Sequence, residues 1–374
     1  MKINVKKLGY FLLIIPFFVP VYFIETTNIS KFVQILKVIS SLFILVKFII
    51  NIRKVNKVFF SVLILLTLIF IVGLLNNYFS MDILQAIILC MLFEYGLKDK
   101  RNNFLIAINI LLEILIYSNF LSIILFPDGM YVTGTYTQNW LLGYKNPMIR
   151  ILIPACTISM ILSYNRYKCI TKRSYFLLLI SIITVIIVNS STGVVGMSIF
   201  IGANLLYRNE IVRRIFSLKK AFFTCLIISY LIINQIITEF FAFFIEGILN
   251  KSLNFTGRDV VWERAKEFIY NHKFIGIGDY LGEVMEPILL APHPHNYFLH
   301  ILIQGGIIGF ILLLNVIFTA DKSIRRTKNN LSKYIVSSGI ISFYIMGITE
   351  SLTAALLMYP MYILLGNINY ICDS

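Results

Sequence analysis

The sequence predicts an all-α integral membrane protein, an expectation that rests on composition, segment length and the placement of basic residues. Of the 374 residues, 58% are hydrophobic and the mean hydropathy is +0.84, whereas soluble domains are about 45–50% apolar. The apolar segments run for about 16–23 residues, and about 20 helical residues cross the hydrocarbon core of a bilayer. These segments do not alternate polar and apolar residues as barrel strands do, so helices are expected.

The net charge of +15 comes mainly from basic clusters that follow every second apolar segment. Such spacing is typical of cytoplasmic loops under the positive-inside rule, so the charge indicates topology and not nucleic acid binding. Both termini of this multi-pass protein are then expected in the cytoplasm. The clusters lie at 2–7, 53–57, 98–101, 166–173, 208–220 and 322–333.

Twelve apolar segments are candidate membrane spans. The first resembles a signal peptide, but no small-residue cleavage site follows it, so a retained helix is expected. The seventh and eighth segments are short and separated by "NSSTG", which also fits a re-entrant hairpin. The segments are 8–25, 32–50, 58–75, 81–97, 104–126, 147–164, 175–189, 193–207, 221–238, 296–318, 334–349 and 352–370.

This pattern divides the chain into three parts. Residues 1–238 hold about nine spans, 239–295 form a large external loop, and 296–374 hold about three spans. A shorter polar external segment lies at 127–146. The five cysteines fall in spans or on the cytoplasmic side, so no disulfide framework is expected.

Within the large loop, "TGRDVVWERAKEFIYN" predicts a short amphipathic helix on the outer membrane face. Thr256 followed by Asp259 resembles a capping box. Val261, Ala265 and Phe268 then recur at helical spacing. A Gly-punctuated turn, "KFIGIGDY", comes next.

All four histidines lie between positions 272 and 300. His272 ends the outer helix and is expected on the surface, whereas His300 lies about one turn into a span and is expected to be buried. His295 is a candidate general base, since imidazole has a pKa near 6.5 and the residue sits where the loop re-enters the membrane. Two alternatives remain: metal binding with His293 as a His-x-His pair, or a helix-start role for His295.

Arg258 opens the predicted outer helix, where free N–H groups and the helix dipole favour anions. An arginine there can hold phosphate as a bidentate fork. The alternative is an ion pair with Asp259 or Glu263 on a solvated face.

The sequence contains no Gly-rich phosphate loop, no Asp-x-Asp and no Gly-x-Ser-x-Gly. Chemistry is therefore expected on the outer side with membrane-delivered substrates. Arginine or lysine, not a metal or another cofactor, would balance phosphate charge.

These residues resemble the O-antigen ligase and polysaccharide polymerase superfamily of bacterial membrane proteins. That family shows His-Asn, nine residues, Gly, two residues and Gly, which correspond here to His295, Asn296, Gly306 and Gly309. Upstream, Gly257 precedes an arginine and an aromatic-containing helix, as in the family. "GYKNPMIRILIPA" and "ITESL", which contains Glu350, resemble two further family stretches.

The resemblance implies a metal-independent glycosyltransferase that uses an undecaprenyl-diphosphate-linked oligosaccharide outside the cytoplasmic membrane. His295 would deprotonate the acceptor hydroxyl, and Arg258 would hold the departing diphosphate. Asn296 and Glu350 would contribute to substrate binding. Other polysaccharide-assembly proteins and the lipid bilayer are the remaining expected partners.

One departure from the family concerns a second arginine, which many members carry where this chain has Ser191. Lys145 or Arg150, at the mouth of the sixth span, are the candidate replacements, and Arg264 is a further candidate cation. Tyr136, Trp140 and Tyr144 fit either sugar stacking or the ordinary interfacial belt of aromatic residues.

Three functions are compatible with these features. A polymerase of capsular or O-antigen polysaccharide is favoured by the missing second arginine and by the Ile-, Lys- and Asn-rich composition. An O-antigen ligase would instead transfer the finished chain to a core saccharide. A flippase would use ionisable residues in a cavity between spans, for which Lys37, Lys47, Glu94, Glu113 and Glu350 are the candidates.

Overall fold

The computed structural model describes residues 5–51, 55–99, 101–134, 136–207, 209, 217–236, 257–280, 282–325, 330–352 and 356–372. Within these ranges the secondary structure is helical, and the β pairings are isolated bridges between Tyr131 and Asn139 and between Trp140 and Gly143. Five described helices are long and apolar enough to cross a bilayer. The all-α membrane class is therefore confirmed, and the count of twelve spans stays a prediction.

Sixteen α-helices and one 3-10 helix are present in the described ranges. They are α1 (Val5–Ile14), the 3-10 helix (Ile15–Phe18), α2 (Val21–Thr26), α3 (Ser30–Asn51), α4 (Lys57–Leu75), α5 (Met81–Asp99), α6 (Arg101–Leu125), α7 (Lys145–Tyr167), α8 (Lys172–Ile187), α9 (Ser191–Leu205), α10 (Leu218–Ile233), α11 (Arg258–Asn271), α12 (Gly282–Leu289), α13 (Tyr297–Arg325), α14 (Asn330–Met346), α15 (Met358–Gly366) and α16 (Ile368–Cys372).

Two predicted spans are not continuous helices. The segment 8–25 is broken into α1, the 3-10 helix and α2, because Pro16 and Pro20 lack the N–H that a continuing helix needs. The last segment, 352–370, contains α15 and α16, which are separated at Asn367. Residues 353–355 of that segment lie outside the described part of the chain.

The seventh and eighth predicted spans form two separate helices of 16 and 15 residues, α8 and α9. Ser190 caps α9, since its hydroxyl accepts a hydrogen bond from the N–H of Gly193 at 3.2 Å. α9 packs closely on α14: a Cβ on Gly196 would collide with the side chain of Met346. The hydroxyl of Ser190 also donates to Asn146 Oδ1 at 3.1 Å, so the start of α9 lies close to the start of α7.

The outer helix exists as α11, but its first residue is Arg258 and its N-cap is Gly257, at φ 83° with no side-chain cap. The capping box that we expected from Thr256 is therefore not the start of this helix, and Thr256 lies outside the described residues. A second short helix, α12, follows it and was not located from the sequence.

α13 is interrupted at Gly306, whose backbone has φ 58° and ψ −158°. This break leaves backbone groups on both sides without partners within the helix, and the turn 273–278 hydrogen-bonds to them. The N–H groups of Ile277 and Gly278 donate to Ile303 and Gln304 at 2.9 and 2.8 Å, while those of Ile307 and Ile308 donate to Lys273 and Phe274 at 2.8 and 3.1 Å. The Gly-punctuated turn is thus joined by its backbone to the helix that follows the histidines.

Gly276 and Gly278 of the turn and Gly73 of α4 permit this junction. Gly276 and Gly278 adopt φ 66° and 82°, and a Cβ on either would collide with neighbouring backbone. The neighbour of Gly278 is Gly73 of α4, for which the sequence predicts no role. The turn is therefore fixed between α4 and α13, and it connects α11 to the body of the protein.

Candidate active site

The segment between α12 and α13 carries His293 and His295 in a fixed turn. His295 has φ 48°, in the left-handed region that non-glycine residues rarely occupy. Trp262 of α11 restrains this turn, since its indole Nε1 donates to the carbonyl of Pro294 at 3.0 Å. Such a conformation costs about 1–3 kcal/mol and persists only where the surroundings enforce it.

Hydrogen bonds of Asn296 hold much of this turn in place. Its Oδ1 accepts from the N–H of Leu299 at 3.0 Å, which caps α13. Its Nδ2 donates to Ser229 Oγ at 2.7 Å and to the Ile348 carbonyl at 2.8 Å, and its backbone N–H donates to Ser351 Oγ at 3.2 Å. Asn296 is fully buried and both donors of its amide are used within the protein, so it positions its neighbour, while a role in substrate binding stays a prediction.

Arg258 lies across from this turn and contacts the residues after α14. Its Nη1 donates to the carbonyl of Thr349 at 2.6 Å, and its Nη2 lies 3.4 Å from Oε1 of Glu350. Its ion-pair partner in the described structure is therefore Glu350, not Asp259 or Glu263. This contact leaves several of the five guanidinium N–H groups available to a ligand.

Glu350 is buried, with 6% of its surface exposed, and it joins three helices. Asn146 donates to its Oε1 at 3.0 Å, and Ser190 in turn donates to Asn146 Oδ1 at 3.1 Å. Burial raises the pKa of the Glu350 carboxyl, and the nearby Arg258 and Arg150 act in the opposite direction. Asn146 belongs to a stretch that the sequence singled out, but only the structure gives it a contact.

The three candidate second cations, Arg150, Lys145 and Arg264, make different contacts. Arg150 donates from Nη2 to the carbonyl of Ser351 at 3.2 Å and so lies beside Glu350. Lys145 has its Nζ 5.8 Å from the ring centroid of Tyr144. Arg264 is exposed and donates to the Ile288 carbonyl in α12 at 3.3 Å, so this contact is with α12, and a substrate-binding role for Arg264 stays a prediction.

Ser191, which stands where the resemblance expects a second arginine, is the first residue of α9. Its neighbour Ser190 contacts Asn146, so this position borders the cluster formed by Glu350, Asn146 and Arg258. Arg150 projects into the same region from α7. The geometry thus favours Arg150 over Lys145 as the replacement cation.

Both histidines of the turn are held in their neutral form. Burial, together with the neighbouring His293 and Arg258, lowers the pKa of His295 to about 3. Burial likewise lowers the pKa of His293 to about 4, with Arg150 and Arg258 acting in the same direction. The two rings are nearly perpendicular, at 85°, with centroids 4.3 Å apart. Neutral imidazole is the form that accepts a proton.

The other two histidines lie where the sequence predicts. His272 is exposed and stacks on Phe268 with centroids 4.3 Å apart. His300 is 4% exposed and stacks on Tyr280, with ring centroids 5.3 Å apart.

Of the three candidate sugar-stacking residues in the segment 127–146, Tyr136 and Tyr144 lie within electrostatic range of Glu350. Tyr136 and Tyr144 stack at 3.9 Å, and burial, reinforced by Glu350, raises the pKa of Tyr136. Trp140 is buried and donates to the carbonyl of Phe126 at 2.8 Å, so it anchors this segment and cannot stack on a sugar. Among the described residues, no group of three or more His, Cys, Asp or Glu side chains could hold a metal.

Comparison with known proteins supports the resemblance. Residues 176–314 match the model of the family described as O-antigen ligase. A 69-residue segment is 41% identical to a protein of Rickettsia conorii that carries the provisional name polysaccharide ligase, and it covers 18% of this chain and 16% of that protein. The family match includes Arg258, His295 and Asn296 but not Arg150 or Glu350. The resemblance to the O-antigen ligase superfamily is thereby confirmed.

Proposed function

We propose that this membrane protein, with its O-antigen ligase match over residues 176–314, polymerises a surface polysaccharide. It transfers a glycan from undecaprenyl diphosphate to a sugar hydroxyl of a second lipid-linked repeat unit. The reaction takes place on the outer face of the cytoplasmic membrane and needs no metal. The arrangement that carries this proposal is a neutral, conformationally fixed His295 in electrostatic range of Arg258.

In the proposed reaction, His295 acts as the base. The Nδ1 atom of His295 is buried and lacks a hydrogen-bond partner among the described residues, so Nε2 is the nitrogen assigned to the acceptor hydroxyl. As this nitrogen takes the proton, the acceptor oxygen bonds to the anomeric carbon. The bond from that carbon to the phosphate oxygen breaks, and its electron pair leaves with the diphosphate. A single displacement of this kind inverts the configuration at the anomeric carbon, and inversion is the expected outcome.

Arg258 and Arg150 stabilise the charge that develops on the diphosphate. Both act electrostatically on Glu350, so they flank one carboxylate. A diphosphate bound between them would take the place of that carboxylate as the partner of Arg258. Preorganised cations of this kind act where charge appears in the transition state, and removing one such donor costs about 10²–10³-fold in rate.

A ligase is the second candidate, and the descriptions of the matched family and of the Rickettsia protein favour it. The two activities share the donor and differ in the acceptor, which is a core saccharide for a ligase. A flippase is less compatible with the described contacts. Glu113 pairs with Arg173, Glu94 with Lys98, and Lys37 donates to Gln85 at 3.1 Å, so these side chains are satisfied locally.

The test is the length of the polymer in a strain that lacks this gene. Wild type, His295→Ala and Arg258→Ala are expressed there, and Arg264→Ala serves as the control on the same outer helix. A ladder with wild type and Arg264→Ala, but single repeat units with the other two, is the result expected of a polymerase. Full-length chains retained on the lipid carrier would indicate a ligase. Normal glycan in every lane, with normal protein levels, would refute a transferase role.

A further inference from the structure

Three buried polar atoms lie together beneath the histidine turn without a partner. Both ring nitrogens of His300 and the hydroxyl of Tyr280 have no hydrogen-bond partner among the described residues. The two rings stack with an interplanar angle of 14°. Leaving one such group unsatisfied costs about 1–3 kcal/mol, so a cluster of three in a native protein calls for an external partner.

The cluster is rigidly held. Asp279, next to Tyr280, hydrogen-bonds to the hydroxyl of Ser80 in α5 and accepts from Gln304 Nε2 at 2.6 Å. Burial raises the pKa of the Tyr280 phenol, which therefore remains a hydrogen-bond donor. The Tyr280–His300 pair is therefore held in place before any ligand arrives, and such preorganisation reduces the entropic cost of binding.

The Tyr280–His300 pair lies one helical turn from the histidine turn, since the N–H of His300 donates to the carbonyl of Asn296 at 3.0 Å. His300 is also within electrostatic range of His293, whose ring centroid lies 4.3 Å from that of His295. Because His295 receives the acceptor hydroxyl in the proposed reaction, a sugar bound by this pair is assigned as the acceptor.

We propose that His300 and Tyr280 form a subsite for the acceptor sugar, which receives a neutral polar substituent such as a hydroxyl or an acetamido group. A neutral imidazole offers one donor and one acceptor, and a phenol offers both, so the pair matches a group that also donates and accepts. The assignment of the bound sugar as acceptor rests on the proposed transferase function. The presence of a sugar site does not, because binding can be measured without transfer.

The probe is the repeat-unit oligosaccharide, released by mild acid from the lipid carrier that accumulates in the deletion strain. It lacks lipid and diphosphate, so its affinity reports on sugar contacts alone. Binding to the full-length protein in detergent is followed by the shift in thermal unfolding temperature as oligosaccharide is added. The variants are His300→Phe, which keeps the ring stack, and Tyr280→Phe, which removes one oxygen atom. The control is His272→Phe, since His272 also stacks on an aromatic ring but on the outer surface.

We expect Tyr280→Phe and His300→Phe each to weaken oligosaccharide binding about tenfold, as loss of a buried hydrogen bond does, while His272→Phe binds as wild type does. In the transfer assay, KM for the lipid-linked acceptor would rise with little change in kcat. If both variants bind with wild-type affinity, water alone satisfies these three polar atoms and the proposal is wrong. Failure of wild type to bind the oligosaccharide at millimolar concentration would also overturn it. If His300→Phe does not fold, Tyr280→Phe decides alone.

Discussion

Arg258 Nη2 lies 3.4 Å from Glu350 Oε1, so the first residue of the outer helix pairs with a carboxylate that follows α14. The same guanidinium donates to the carbonyl of Thr349 at 2.6 Å. Two contacts from one side chain fix α11 against the C-terminal helices. They also hold the guanidinium in electrostatic range of His295 before substrate binds.

The rate of transfer should depend strongly on Arg258 and hardly on Arg264. We expect Arg258→Ala to lower the initial rate about 10²–10³-fold, because a preorganised cation is lost where charge develops. Arg264→Ala removes an exposed cation from the same helix, whose contact is the Ile288 carbonyl. Initial rates are measured in proteoliposomes with extracted lipid-linked repeat units. Equal losses in the two variants would show that charge on the outer helix, not the position of Arg258, matters.

The two glycines of the His-Asn motif should differ sharply in tolerance. Gly306 has φ 58°, and a Cβ there would collide with the backbone of Phe274. Gly306→Ala should therefore lower stability by more than the roughly 1–3 kcal/mol of backbone strain alone, and it should detach the turn 273–278. A Cβ on Gly309 would meet its nearest atom at 3.9 Å, so Gly309→Ala should be close to wild type. Thermal unfolding in detergent tests this, and equal tolerance at both positions would contradict it.

The sequence predicted the membrane class and the outer helix because both depend on local patterns. Apolar segments and basic clusters determine spans and topology. Where proline interrupts an apolar run, as at Pro16 and Pro20, hydropathy still reports one span, although the backbone cannot continue as one helix.

The contacts of the site could not be predicted from local sequence patterns, because they join residues that are far apart in the chain. His295 and Arg258 carry chemistry that their residue types suggest. Glu350, by contrast, meets Asn146 across 204 positions, and no local pattern encodes such a pairing. Gly73 faces Gly278 in the same way, and a glycine within an apolar helix gives no sign of what approaches it.

Asn296 should affect activity through structure and not through substrate contact. Asn296→Asp keeps the oxygen that caps α13 but loses both amide donors, whereas Asn296→Ala loses the cap as well, which is worth about 0.5–2 kcal/mol. We expect the unfolding temperature to decrease from wild type to Asp to Ala, and kcat to fall with it. Ser229→Ala, which removes one partner of the amide, should give a smaller loss. An Asn296 variant with lower activity at unchanged unfolding temperature would argue for direct substrate contact.

Arg150 should contribute more to diphosphate binding than Lys145. Arg150 lies beside Glu350 through its contact with Ser351, whereas the Nζ of Lys145 lies over the ring of Tyr144. We expect Arg150→Gln to weaken binding of undecaprenyl diphosphate at least about tenfold, the scale of one charge-assisted hydrogen bond. Lys145→Gln should change it by less. A larger effect at Lys145 would reverse this assignment.

The acid limb of the pH–rate profile should lie far below that of an ordinary histidine. Burial lowers the pKa of His295 to about 3, so the free enzyme keeps its neutral, proton-accepting form as pH falls through the usual value of 6.5. We therefore expect kcat/KM to stay flat from about pH 8 to about pH 5.

The free energy of unfolding depends on pH in a different way. In the unfolded chain His295 binds a proton near pH 6.5, whereas in the folded protein it does not, so stability declines as pH drops below about 6.5. Rates are accordingly taken after brief exposure, with helical circular dichroism as the control for unfolding. A one-proton loss of kcat/KM centred near pH 6.5, in protein that remains folded, would mean that His295 is solvated and is not held neutral by burial beside Arg258.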